Sequence, residues 1–272
     1  MSGWVLSLLI SYLAGGHPVF SKLLGHPNLP LSVAKTRPVI GQPIAYDSTK
    51  RYIYLSFDDG PQHGTLTCVD LCKKEQVKAS FFMVGMHEAA KSDGKMIVNT
   101  IRNGYPELLL ANHSYTHANN KYLYFYHHPR MAEQDFLKAQ DSLKVPLKIG
   151  RLPGNRAWVR KGEIKASWLV RPVARLLDSL GYNVIGWDLE WHFNPHTARP
   201  IQTPEKLAAQ VDSAFAKNET HVRNHLVILS HDRMFQHPDE ADSLEKFIRI
   251  LKRNPKYVFE TVDHYPGLKR GL

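Results

Sequence analysis

Three short clusters in this chain carry residue types that could share one metal-assisted hydrolysis. They are Ser56-Phe57-Asp58-Asp59-Gly60-Pro61, His113-Ser114-Tyr115-Thr116-His117 and Leu229-Ser230-His231-Asp232. The first two supply a paired carboxylate and two imidazoles, a set that suits a catalytic zinc with one coordination position left open. The third supplies a single His, the side chain suited to moving a proton near neutral pH. His113 and His117 are four apart, so one helical turn would put both imidazoles on one face. The zincin pattern has this spacing with a Glu inside it as general base. Here Ser114, Tyr115 and Thr116 intervene, so the base must come from elsewhere. The Asp58-Asp59 tandem supplies one carboxylate to bind a metal and one to take a proton. Two His and a carboxylate also form the ligand set of non-haem iron oxygenases, but those have no need for a second adjacent Asp or for His231.

The elements that must position these residues follow from the apolar pattern. Strands are expected over 52–56, 79–84, 108–111, 183–187, 226–230 and 257–261, and helices over 65–75, around Met96 to Ile101, and over 131–143, 168–180 and 242–253. Thr203-Pro204 opens a further helix, an N-cap Thr followed by Pro at the first position. Strands alternating with helices predict an α/β fold on a parallel sheet, open or closed. Each cluster then falls just past the C-terminal end of a strand, where the loops of such sheets converge on an active site.

With those residues in place, the chain resembles the polysaccharide deacetylases of NodB-homology type, carbohydrate esterase family 4, over roughly Arg51 to Pro266. The TFDDGP-like first motif is matched by Ser56 to Pro61, and the HSxxH motif by His113 to His117. The LxLxH-like strand end is matched by Val227 to His231. The resemblance implies a distorted (β/α) barrel with its active site at the C-terminal ends of the strands. It implies Asp58 as catalytic base, Asp59, His113 and His117 as metal ligands, and His231 as general acid. The implied cofactor is a divalent metal, Zn²⁺ first, with Co²⁺, Ni²⁺ or Mn²⁺ as alternatives.

Two motifs depart from the family pattern. Its Arg-x-Pro-aromatic-Gly motif reads Arg151-Leu152-Pro153-Gly154-Asn155, with the aromatic replaced by Gly154. Arg151 keeps the implied role of pairing with the base, and a Gly154 N–H can still serve as oxyanion donor. The DxxDW-like motif is replaced by Trp187-Asp188-Leu189-Glu190-Trp191-His192. Either Asp188 or Glu190 could orient the His231 imidazole, Glu190 being favoured by register. The aromatics Tyr122, Tyr124, Phe125 and Tyr126 with His127 and His128 form either a sugar-stacking wall or core. Trp158, Trp168 and Trp191 leave the same choice open, and His63 reads as a solvated loop His.

Composition bounds the rest. The 272 residues carry a net charge of +10, which suits an anionic partner, yet no block of five Lys or Arg and no nucleic-acid module is present. Cys68 and Cys72 read as two packed thiols on one helix face. No apolar run reaches the ~18 residues of a membrane span. Residues 1–50 are expected to form a leader: an apolar stretch over 4–13, read as export signal, membrane-contacting anchor or packed helix, then a Pro-rich extended segment. Residues 51–272 are the expected catalytic domain of a monomer. Together these imply de-N-acetylation of an N-acetylglucosamine polysaccharide, peptidoglycan first, at the cell envelope, periplasmic or secreted. The alternatives are a chitooligosaccharide deacetylase, an O-acetyl esterase of xylan type, and a catalytically silent carbohydrate-binding relative.

Overall fold

The structure, a computed structural model, describes residues 40–270. The 4–13 stretch and the leader as far as residue 39 lie outside the described residues. The first half of the fold comprises β1 (Arg51–Gly60), α1 (Thr65–Lys74), β2 (Ala79–Met83), α2 (Gly85–Ala90), α3 (Gly94–Arg102) and β3 (Leu108–Asn112). Then come α4 (Tyr122–His127), α5 (Pro129–Ser142), β4 (Ile149–Gly150), β5 (Trp158–Arg160), β6 (Glu163–Lys165) and α6 (Arg171–Ser179). The chain continues with β7 (Asn183–Val184), β8 (Leu189–Glu190), α7 (Pro204–Lys217), β9 (His225–His231), α8 (Pro238–Lys252) and β10 (Tyr257–Phe259).

Local chemistry explains the helix ends. The Thr203 hydroxyl accepts from the Lys206 N–H at 3.3 Å and Pro204 fills the first turn of α7, which ends at Asn218 in the left-handed region. Helix α8 begins four residues before the expected Asp242, because Pro238 sits at its start and Asp239 and Glu240 favour its positive end. No helix among the described residues is long and apolar enough to cross a membrane.

The strands lie in the order β6-β5-β7-β4-β3-β2-β1-β9-β8, with β10 beside the start of β1. Pairing is parallel except at β5, which runs antiparallel to both β6 and β7. That departs from the wholly parallel sheet the sequence suggests: a two-residue link between β5 and β6 leaves room only for a hairpin. The segment 183–190 leaves one side of the sheet and joins the other. Ile185 N–H donates to Gly150 O at 2.9 Å, and Asp188 N–H donates to Val227 O at 2.8 Å. The sheet therefore curls into a distorted barrel.

Alternation along the strands decides which residues meet inside it. On β1, Ile53, Leu55 and Phe57 pack outward against α1, α7 and α8, while Tyr52 and Tyr54 face the interior with Phe82, Leu109, Ala111, Ile149 and Val227. Continuing the same parity carries β1 to Asp58, β3 to His113 and β9 to His231. Three of the candidate residues are thus inward positions at or just past the ends of β1, β3 and β9, with β2 between β3 and β1.

Candidate active site

Asp59 joins Asp58 only because β1 bulges. Asp58 pairs with Phe82 and Gly60 with Met83, leaving Asp59 as the extra residue at φ 74°. In a regular strand the second carboxylate would point to the opposite face; the bulge returns it to the interior. Gly60 leaves room for its neighbours, since a Cβ there would displace the Asp232 carboxylate and the Met83 thioether.

The two imidazoles meet by a different route from the helical turn expected. After β3 the chain turns at Ser114, φ 68°, and reaches His117, φ 50°, at the head of a 3₁₀ turn over His117–Asn120. The intervening N–H groups are held by side chains: Ser114 N–H donates to Asn112 Oδ1 at 2.8 Å and His117 N–H to Ser114 Oγ at 3.0 Å. Tyr115 and Thr116 N–H both donate to Asp135 Oδ2, at 2.9 and 3.0 Å. The result brings the imidazole centroids to 4.9 Å.

The donor set fits a divalent metal. One ligand atom each from Asp59, His113 and His117 lies within 4.8 Å of the others. His113 Nδ1 lies 2.8 Å from Arg151 O, a carbonyl that can only accept, so Nδ1 carries the proton and the Nε2 lone pair faces Asp59 at 3.4 Å. His117 Nε2 stands 3.1 Å from Asp59 Oδ1, which is buried with no hydrogen-bond partner. Burial opposes ionisation of Asp59, but the two imidazoles and His231 outweigh it and hold the carboxyl well below the usual carboxylate range. Burial, with His113 beside it, pulls His117 down to about 4. His113 is pulled down by burial and raised on balance by Asp58 and Asp59. An ionised carboxylate beside a neutral imidazole is the protonation state a metal needs.

Asp58 is held by Arg151. The fully buried guanidinium donates from Nη1 to Asp58 Oδ1 at 2.7 Å and to Ser56 Oγ at 2.9 Å. Its Nε and Nη2 donate to Ile185 O and Gly186 O at 2.9 and 3.1 Å, and its face lies 4.1 Å from the Phe82 ring centroid. Three residues on, the exposed Gly154 adopts φ +60°, and a Cβ there would stand 3.2 Å from the Tyr122 ring. Tyr122 also lies edge-on to His117, 5.8 Å between centroids. Of the aromatic cluster, Phe125 and Tyr126 are core, while the Tyr124 and His128 rings meet at a tilt, 4.1 Å between centroids, on the surface. Trp158 is buried and Trp168 is exposed.

His231 enters from the opposite side, its Nε2 3.9 Å from Asp59 Oδ2. Neither expected carboxylate reaches it. Asp188 turns to the edge of β9, where it accepts from His221 N–H at 2.7 Å and Val227 N–H at 2.8 Å, and burial pushes it up to about 6. Glu190 lies 3.4 Å from the exposed His192. The physical reason is register: β8 pairs Leu189 with Ile228 and Glu190 with Leu229, two residues before His231, so both carboxylates stop short of it. Its Nδ1 is buried without a partner, and its ring rests on Phe193, 4.9 Å between centroids. Trp191 beside it is core, fully buried against Phe235 and Phe247 with its N–H on Gln202 O at 2.9 Å. Trp191→Ala is expected to cost about 3–5 kcal/mol in urea unfolding. A loss below about 1 kcal/mol would show that this packing contributes little.

Asp232, one residue after His231, ties this loop to the head of α1 by accepting a hydrogen bond from the Thr65 hydroxyl. It escaped notice in the sequence, where an Asp after His231 gives no sign of complete burial. Burial pushes it up to about 8, against the Thr65 bond and helped by Asp59 and Asp58. Unfolded, it ionises near 3.8, so the folded chain holds one extra proton between about 4 and 8. The stabilisation is complete below that window and is lost as pH rises through it, by at most ~1.4 kcal/mol per pH unit. Urea unfolding of metal-free protein from pH 5 to 8 is expected to show this decline, and Asp232→Asn to flatten it. An unchanged slope in the variant would remove Asp232 as its source.

The family model described as polysaccharide deacetylase matches residues 45–149, a span holding Asp58, Asp59, His113 and His117. Over that span the chain is similar to the polysaccharide deacetylases. Its similarity to the chitin disaccharide deacetylase of Vibrio alginolyticus is 22% identity, covering 81% of this chain and 73% of that protein. The fold is shared with a family 4 carbohydrate esterase from Streptomyces lividans solved with acetate, at TM-score 0.56 and 18% identity, covering 80% of this chain and 95% of that one. It is shared also with the catalytic domain of a peptidoglycan N-acetylglucosamine deacetylase from Eubacterium rectale, at TM-score 0.57 and 22% identity, covering 84% and 96%. Arg151, Gly154, Asp188, Glu190 and His231 lie beyond the matched span, so their placement rests on the geometry above.

Proposed function

We propose that the protein is a metal-dependent hydrolase that removes acetyl groups from an N-acetylglucosamine polysaccharide, peptidoglycan first, at the cell envelope. One observation carries the reading: an Arg-paired carboxylate, Asp58, borders a converged Asp-His-His set with a lone His opposite. Asp59, His113 and His117 would hold the ion. When bound, Zn²⁺ or a similar divalent cation supplies Lewis-acid polarisation of the acetyl carbonyl. Asp58 takes a proton from the attacking water, and Arg151 fixes its Oδ1 so that Oδ2 is left to accept. The Gly154 N–H, in an exposed left-handed turn, donates to the developing oxyanion. His231 gives a proton to the departing nitrogen. Amide and water become acetate and a sugar amine. The exposed Tyr124, His128 and Trp168 supply ring faces for a glycan beyond the reacting sugar.

The test is acetate release by metal-loaded protein from N-acetylglucosamine oligomers and from peptidoglycan. Release from either supports the reading; none from either overturns it. A second reading, an O-acetyl esterase, is favoured by the missing carboxylate partner of His231, because an alkoxide-type leaving group asks less of the acid than an amine does. Acetylated xylan in the same assay separates the two. Metal analysis is expected to give one divalent ion per chain, and His117→Ala to fail to retain it while keeping the fold. Stoichiometric metal in that variant would remove His117 from the ligand set.

A further inference from the structure

The loops after β1 and β9, with α2 and Lys91, wall a cavity of about 340 Å³ beside the triad. Its lining includes His63, His87, Lys91 and Arg233, with the amides of Gln62 and Gln236, and contains no carboxylate. The cavity adjoins the metal ligands directly: His87 Nδ1 donates to Asp59 O at 2.6 Å. Lys91 is paired with Asp93 at 2.7 Å, but Arg233 forms no ion pair among the described residues. It is half-buried, with its guanidinium 5.6 Å from the Phe193 ring centroid. A guanidinium without an ion-pair partner, on a cavity whose lining holds no carboxylate, can take an anion, and its fork geometry suits a carboxylate.

We propose that this cavity is a subsite for a carboxylate carried by a sugar neighbouring the one that is deacetylated, so that the polymer is anionic. The proposal rests on the deacetylase reading and narrows its substrate class. A neutral glycan would leave the Arg233 charge unanswered, whereas a carboxylate would meet Arg233 first and share Lys91 with Asp93. The +10 net charge of the chain would assist the approach of such a polymer.

The experiment compares peptide-free peptidoglycan strands with the same strands methyl-esterified at their carboxylates, using wild type, Arg233→Gln and Lys91→Ala. Both variants are expected to raise KM on the native strands, Arg233→Gln by about fivefold, the size of a partly exposed ion pair. Their kcat, and KM on the esterified strands, are expected to stay unchanged. Equal KM changes on the two glycans, or none on either, would overturn the subsite. Equilibrium binding of the same glycans gives an answer independent of turnover. If no acetate is released the deacetylase reading fails, yet tighter binding of native than esterified strands, lost in Arg233→Gln, would still support the subsite. Equal binding of both would end it.

Discussion

An Asp58→Asn protein is expected to keep its metal and to lose about 10²–10⁴ of its deacetylation rate. The amide is nearly isosteric, and its orientation is dictated by Arg151, which can only donate. The amide oxygen therefore takes the place of Oδ1, 2.7 Å from Nη1, and the NH₂ group falls where Oδ2 stood. An N–H donor then occupies the position from which the water's proton must be accepted. Metal retention is expected because Asp58 lies outside the Asp59, His113 and His117 set. Folding needs its own check, since removing one partner of a buried ion pair costs about 3–5 kcal/mol. The Ile185 and Gly186 carbonyls and the Ser56 hydroxyl still hold the guanidinium in place. Acetate release and elemental analysis read the two effects separately. If Asp58→Asn lost the metal while Asp59→Asn kept it, the roles of the two carboxylates would be exchanged.

Much of this site was legible because strand parity is written in the sequence. Tyr52, Tyr54 and Ser56 share the inward face of β1 with Asp58, and the runs before His113 and His231 have the same period. The tandem Asp and the His spacing therefore named residues that the fold brings together. What escaped depends on contacts between distant residues. The bulge that turns Asp59 inward is decided by pairing between β1 and β2. The turn joining the two His is fixed by Asp135, on α5, some twenty residues later. No local pattern announces either. The two-residue strands β4, β7 and β8 are too short to show periodicity, and their registers place Asp188 and Glu190 away from His231. Expecting a carboxylate there extended a motif into a segment that does not match it.

That missing partner makes His231 the most discriminating position to change. His231→Ala is expected to leave metal and glycan binding in place and to slow N-deacetylation by about 10²-fold or more, because an amine leaves poorly without a proton. An activated acetate such as 4-nitrophenyl acetate, whose phenolate departs unprotonated, is expected to be hydrolysed nearly as fast as by wild type. Equal losses on the two substrates would take the acid role from His231 and leave it binding substrate or supporting Asp59, whose Oδ2 is 3.9 Å from its Nε2. The geometry makes the comparison sharper than in a site where a carboxylate grips the ring. Here Nδ1 is buried without a partner and the imidazole is steadied by Phe193 alone among ring contacts, so orientation comes from packing. Truncating Phe193 to Ala is then expected to reproduce part of the His231→Ala defect on the amide and little of it on the activated ester. A Phe193 variant that lost both activities alike would show instead that the ring supports the site as a whole.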